Sequence, residues 1–438
     1  MHVLLELRRL LRLHGFRRLF AVRLVSQAGD GMFQVGLATL FFFSPESAGT
    51  ATGVAAAFAV LLLPFTVVGP WAGVLLDRWR RRQVLLFGNL VRVAIALVLS
   101  LLLLTQGVGP AVYVLALLNL SINRFLLSAL SAGLPRVVDG PLLLTANSLT
   151  PTLGAGAAGV GGGIGLVLGL VLEPGRGKDA TVLLCAALLF GSAAALATRL
   201  GRRQLGPDQP ADAEAMRREM RNLAHGLVAG ARHLVARRTP ARALGVMATH
   251  RFLYGVTFIA SILISRNLLA GPGQDGLAVF GTVLGASGVG FALAVVLTPV
   301  LSPRTGPHTW IAACLLLAAL SQVLLTVTVA LPAVLVGAGL LGLAAQGAKI
   351  AVDTIVQRDT ADAYRGRAFA LYDVLYNAAF VGAAALAALA LPDTGYSRPV
   401  FAALAVAYVL AAVVYRAGAR RDARVTPVVT TTPDPAPR

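Results

Sequence analysis

Long apolar runs broken by short polar turns dominate the chain. They fall near residues 19–43, 52–76, 84–106, 110–134, 144–172 and 179–199, then near 242–268, 276–302, 308–329, 332–357, 367–391 and 396–416. A helix needs roughly 20 apolar residues to cross the hydrocarbon of a bilayer, and each run reaches that length. The pattern predicts an all-α polytopic membrane protein with twelve transmembrane helices in two six-helix halves, 19–200 and 242–416. Between them lies the one long hydrophilic stretch, residues 201–241. From Ala211 to Arg238 its apolar positions Met216, Met220, Leu223, Leu227 and Leu234 recur at helical spacing, which predicts an interfacial amphipathic helix. Residues 1–18 interleave apolar residues with Arg8, Arg9, Arg12, Arg17 and Arg18 and read as a basic interfacial segment, not a cleaved signal. Residues 417–438 read as a tail, disordered along its Thr- and Pro-rich end.

Composition agrees with a membrane solvent. Hydrophobic residues make up 57% of the chain and charged ones 13%, against about 25% charged in soluble domains. The net charge of +19 is therefore no sign of nucleic-acid binding. Its distribution carries topology instead. Basic residues gather in the N-terminal segment, in the turn holding Arg78, Arg80, Arg81 and Arg82, and in the 201–241 stretch. They gather again at Arg358, Arg365 and Arg367, and at Arg416, Arg420, Arg421 and Arg424. Alternate loops hold few, which places both termini in the cytoplasm.

The turn between the second and third runs reads Gly73-Val-Leu-Leu-Asp77-Arg78-Trp-Arg-Arg81-Arg82. It resembles the loop between helices 2 and 3 of the major facilitator superfamily, with Arg80 where that family usually has a second glycine. Further stretches extend the resemblance from about Phe16 to Arg416. They are Arg23 to Met32, Ser128 to Arg136, Thr145 to Thr150 and Gln357 to Arg367. Together they look like the bacterial efflux branch that includes macrolide and siderophore exporters. The resemblance implies two parallel halves around a midplane site, alternating access, and a multi-pass protein of the bacterial inner (plasma) membrane. It also implies that Asp77 faces the start of helix 11. Arg78 and Arg81 would then reach Asp359, Asp362 or Asp373 and close the cytoplasmic side. Helix 5 lacks the Gly-Pro motif that antiporter members carry there.

Polar residues at membrane depth are costly and mark function by default. In the first run Arg23, Gln27, Asp30 and Gln34 share one helical face and are expected to line a cavity. The fourth run carries Asn119, Asn123 and Arg124. Because helices 1 and 4 line the cavity in the resembled family, Asp30 and Arg124 are expected partners, either exchanging a proton or fixed as a structural pair. His250 and Tyr254 share a face in the seventh run, beside Arg251, and are expected to line the cavity. Lys349 and Asp353, one turn apart in the tenth, are expected to pair as part of an inner gate, with Asp373, Tyr376 and Asn377 following in the eleventh.

Two motifs carry no chemistry in this setting. Gly154-Ala-Gly-Ala-Ala-Gly159 spells a dinucleotide fingerprint, but it lies in an apolar run with no strand before it, so close helix packing is expected. His225 and His233 sit on a basic helix with no cysteine nearby, and Cys185 and Cys314 each lie inside an apolar run, so no metal site is expected. No nucleophile–base pair or phosphate loop argues for an enzyme. The expected function is proton-coupled antiport: efflux of a hydrophobic or amphipathic small molecule by a monomer without cofactor, driven by the proton gradient. Metabolite uptake or exchange, lipid or lysolipid flipping, and a non-transporting membrane sensor remain the alternatives.

Overall fold

A computed structural model describes residues 8–43, 50–57, 79–138, 142–173, 175–206, 213–270 and 276–425. Among these residues every regular element is helical. In chain order the helices are α1 (His14–Phe43), α2 (Arg81–Gln106), α3 (Pro110–Gly133), α4 (Leu142–Val171), α5 (Arg176–Thr198) and α6 (Ala213–Arg237). Then come α7 (Thr239–Ile264, continued as a π-helix over Ser265–Leu269), α8 (Gly276–Thr305), α9 (Pro307–Val327), α10 (Leu331–Asp359), α11 (Asp362–Ala390) and α12 (Arg398–Val425).

Ten of the described helices are long and apolar enough to cross a membrane. α1 is 30 residues long, but Gln27, Asp30 and Gln34 keep it below the hydropathy of the others. α6 is the amphipathic helix expected between the two groups of apolar runs. Of the second apolar run, residues 51–57 are helical. The rest of that run, with Gly73, Asp77 and Arg78, lies outside the described residues. Helix starts follow local chemistry: Pro110, Pro307 and Pro332 each occupy a first turn, where the missing N–H costs nothing. Between α8 and α9 the chain reverses through Gly306 alone, at φ 83°, a left-handed conformation that only glycine takes without strain.

Packing separates the chain into two compact units that cut across the two expected halves. The first holds residues 1–226, 255–283 and 373–397, and the second holds 227–254, 284–372 and 398–438. α6, α7, α8 and α11 are thus each divided. The ends of α7, α8 and α11 that join the first unit do so through specific contacts at the end where α1 finishes. The Phe43 and Phe280 rings lie 5.3 Å apart and tilted by 33°, and Arg266 Nη1 donates to the Phe42 carbonyl at 2.8 Å. The backbone N–H of Ala51 donates to Asp393 Oδ1 at 3.0 Å.

Inside the first unit α1 lies directly on the glycine-rich α4. A Cβ built on Gly31 would collide with the Ala158 carbonyl, and one on Gly161 would collide with the Ala28 carbonyl. Gly165 faces Met32 at ordinary contact distance. The Gly154–Gly159 fingerprint enters this close helix interface through Gly154, against Gln27, and Ala158, against Gly31, whereas Gly156 and Gly159 face open space. The second unit repeats the device between α8 and α10, where Gly290 meets the Gly339 carbonyl and Gly342 meets Ser287.

Candidate functional site

α1 carries Asp30 at mid-helix, and its side chain is buried, 3% exposed. A charge removed from water must be paired and hydrogen-bonded, or it costs several kcal/mol on the order of the membrane penalty for a charged residue. Its ion-pair partner is Arg92 of α2, which is fully buried and donates through Nη2 to Asp30 Oδ1. The sequence pointed to Arg124 of α3, which acts on Asp30 electrostatically and also feels Asp373 of α11; the structure adds Arg92 of α2 as the ion-pair partner.

Arg92 is held on every side. Its Nε donates to Asn119 Oδ1 at 3.0 Å, and its Nη1 reaches Ser26 Oγ at 3.4 Å. The Phe190 ring of α5 lies 3.7 Å from the guanidinium carbon, a cation–π contact in a dry setting. Ser26 in turn donates to Asn89 Oδ1 at 3.1 Å, and Asn89 Nδ2 donates to the Leu85 carbonyl at 2.8 Å. Asn123 hydrogen-bonds to Asp30. Gly29 makes room for the Phe190 ring, whose edge would lie 2.8 Å from a Cβ at that position. The result is one polar network shared by α1, α2 and α3 and roofed by α5.

Sequence reasoning missed Arg92 and Asn89, although the signal was present. Arg92 is a lone arginine in the middle of the 84–106 run, and Asn89 stands three residues before it on the same face. The stripe expected along α1 also divides. Arg23 Nε donates to Gln27 Oε1 at 3.1 Å, and this pair lies beneath Gly154 of α4, whereas Asp30 turns to α2. Asp30 is thus enclosed in packing, not set on an open cavity wall, because an unpaired carboxylate facing apolar walls would cost more. Gln34 is half-buried.

The basic turn residues act on backbone. Arg81 Nη1 donates to the carbonyls of Ala132 at 3.0 Å and Leu205 at 3.1 Å, and Arg82 Nη2 donates to that of Thr198 at 3.3 Å. These carbonyls belong to the last turns of α3 and α5 and to the segment after α5, and helix C-termini favour cations. Arg81, expected from the sequence to reach an acid on the cytoplasmic side, thus also ties these segments together. Asp359 is engaged by Arg358, with contacts of 2.6 and 3.1 Å. Charged hydrogen bonds contribute about 1.5–3 kcal/mol. Arg81→Ala should therefore lower the melting temperature of the purified protein by a loss of that order, with transport by the folded fraction kept.

In the second unit Lys349 Nζ and Asp353 Oδ2 pair at 2.7 Å across one turn of α10, with Lys349 Nζ 5.8 Å from the Tyr372 ring centre. His250 is 1% exposed and packs between the rings of Tyr254, at 6.2 Å, and Tyr408, at 5.6 Å. It is a core residue and does not line an open surface, in contrast to its expected role. In the first unit Asn377 Nδ2 donates to the Asp373 carbonyl at 2.8 Å, so it stays on its own helix, and Tyr376 is half-buried. Among the described residues no group of three metal-ligating side chains comes together.

No family model matches the sequence. Two curated relatives do: uncharacterized MFS-type transporters of Mycobacterium bovis and Mycobacterium tuberculosis. Each is 35% identical over 402 residues, which is 92% of this chain and 90% of the relative. Among solved structures, a POT family transporter in complex with 5-aminolevulinic acid aligns with a TM-score of 0.68 at 13% identity, covering 92% of this chain and 96% of that one. A nucleoside transporter aligns with a TM-score of 0.65 at 14% identity, covering 92% and 98%. The structural likeness speaks for the fold, and the 35% identity for the family.

Proposed function

The chain belongs to the major facilitator superfamily, and we propose that it exports a hydrophobic or amphipathic small molecule in exchange for protons, by alternating access between two six-helix halves. It is a membrane transporter and not an enzyme. In the proposed arrangement both termini lie in the cytoplasm of a bacterial cell, and the Mycobacterium relatives support that setting.

The observation that carries the proton role is the Asp30–Arg92 pair. Asp30 is one of the few carboxylates at membrane depth, and it is buried against a guanidinium. Arg92 has Asn119, Ser26 and the Phe190 ring to hold it when the carboxylate is neutral. A proton taken by Asp30 therefore breaks the α1–α2 ion pair, and the contacts of Arg92 with Asn119, Ser26 and the Phe190 ring offset part of that cost. That is the property required of a switch between two packings. Gating is supported by the contacts of Phe43, Phe280, Arg266 and Asp393, which close the first unit where α1 finishes. The Lys349–Asp353 pair of α10 fits the inner gate expected from the sequence. The apolar lining expected from the sequence favours a greasy cargo over a sugar or a dicarboxylate.

The test uses proteoliposomes with an imposed pH gradient and a series of hydrophobic cargoes, wild type beside Asp30→Asn. Gradient-driven movement lost in the variant, with cargo binding and counterflow exchange retained, supports coupling through Asp30. Equal gradient-driven movement in both proteins overturns that assignment. Uphill movement in the direction of the proton flux would overturn antiport in favour of symport.

A further inference from the structure

The second unit carries a feature that the transport reading does not use. α9 and α12 lie side by side and leave a groove of about 560 Å³ between them, open along its length. Its walls are small or apolar: Ala312, Ala313 and Leu316 from α9, and Ala412 and Val413 from α12. Leu316 and Val413 are about half exposed, at 49% and 58%, which suits a face in contact with acyl chains. At one end the groove changes character, because Arg416 and Arg420 of α12 line it one turn apart, with Thr309 of α9 opposite.

We propose that this groove is a binding site for an anionic phospholipid, with its phosphate on Arg416 and Arg420 and an acyl chain along Ala312, Leu316 and Val413. The charges are available. Among the described residues neither arginine has a carboxylate partner, and the nearby Asp359 is already engaged by Arg358 through both oxygens. The end of the groove is also fixed in shape. His308 Nδ1 and Tyr415 Oη lie 2.8 Å apart, joining the first turn of α9 to α12, and Arg242 hydrogen-bonds to the Gly418 carbonyl from α7. Two guanidiniums on a rigid end, above an apolar trough, match a molecule with an anionic head and a hydrocarbon tail.

The first unit supplies an internal contrast. A groove of similar size, about 570 Å³, runs between α2 and α5, lined by Val93, Leu97, Leu184 and Leu188. It contains Ser192 but no charged residue, so it offers an acyl chain a trough and a headgroup nothing. The α2–α5 groove thus has no counterpart to the paired arginines of the α9–α12 groove.

The experiment uses the full chain in mild detergent, mixed with equal amounts of phosphatidylglycerol and phosphatidylcholine, with retained lipid counted by native mass spectrometry. Phosphatidylglycerol is expected to be retained over phosphatidylcholine. The double variant Arg416→Gln/Arg420→Gln is expected to weaken that retention about tenfold, since each basic side chain near a lipid surface contributes on the order of a few-fold. Ala313→Trp, at an exposed position of the lining, fills the trough and keeps both charges, and should also reduce it. Arg202→Gln/Arg203→Gln, an equal change of charge at exposed positions elsewhere, should leave it intact. Retention unchanged in Arg416→Gln/Arg420→Gln would overturn the site, as would equal loss in the Arg202→Gln/Arg203→Gln control. Displacement of the lipid by millimolar inorganic phosphate, without effect of Ala313→Trp, would show an ion site with no role for the groove and would also overturn it.

Discussion

Arg92→Leu lowers the stability of the folded protein by about 3–5 kcal/mol, the cost of removing one partner from a buried ion pair. The variant leaves the Asp30 carboxylate in a protein interior without its ion-pair partner, and strips Asn119 and Ser26 of the Arg92 donor. It also empties the space beneath the Phe190 ring, which lies 3.7 Å from the guanidinium in the native packing. Thermal melts in detergent should show the loss as a lower midpoint. Arg124→Leu should cost less, because Arg92 is fully buried and makes the ion pair with Asp30, whereas Arg124 divides its attraction between Asp30 and Asp373. The double variant Asp30→Asn/Arg92→Gln removes both charges together and should recover most of the midpoint, yet it should carry no proton-driven transport. If Arg124→Leu proves the more damaging single change, α3 rather than α2 supplies the essential partner.

Gly161→Val prevents α1 and α4 from closing, and the expected result is failure to recover folded protein. Overpacking that side chains can absorb costs about 1–3 kcal/mol. Here the obstruction is the Ala28 carbonyl and its peptide carbon, so relief requires the helices to separate. Gly31→Val meets the same fate against the Ala158 carbonyl. Gly156, Gly159 and Gly163 of the same helix have nothing within 4 Å of a built Cβ, so alanine should be tolerated at each. In a helix, glycine to alanine is a gain of about 1 kcal/mol where space allows. Yield and monodispersity after purification read both outcomes. Equal tolerance of Gly161→Val and Gly159→Ala would show that the glycine-rich run does not set the interface.

Much of the architecture is legible from hydropathy. The ten helices that meet the criterion for crossing a membrane all coincide with apolar runs, and α6 coincides with the amphipathic stretch. The limits differ by several residues, as α1 begins at His14 instead of residue 19 and α10 continues to Asp359. These helices run past the hydrocarbon, where polar residues with good helical propensity continue them in water. The glycine fingerprint was also readable as packing, because its setting contained no strand.

What local reading could not supply is which side chains meet. Whether Asp30 finds Arg124 or Arg92 depends on how α1, α2 and α3 are rotated about their axes, and each residue turns a helix by about 100°. The same holds for Arg81 and Arg82, which read as loop charges but end on the carbonyls of Ala132, Leu205 and Thr198. It holds also for His250, whose burial between Tyr254 and Tyr408 comes from two helices far apart in sequence. The sequence by itself determined that the chain is helical and lives in a bilayer, because apolar length and charge placement are local properties. Only the tertiary structure decided that Asp30 is bound to Arg92, because burying a charge selects the nearest partner in space, and nearness is set by packing across helices.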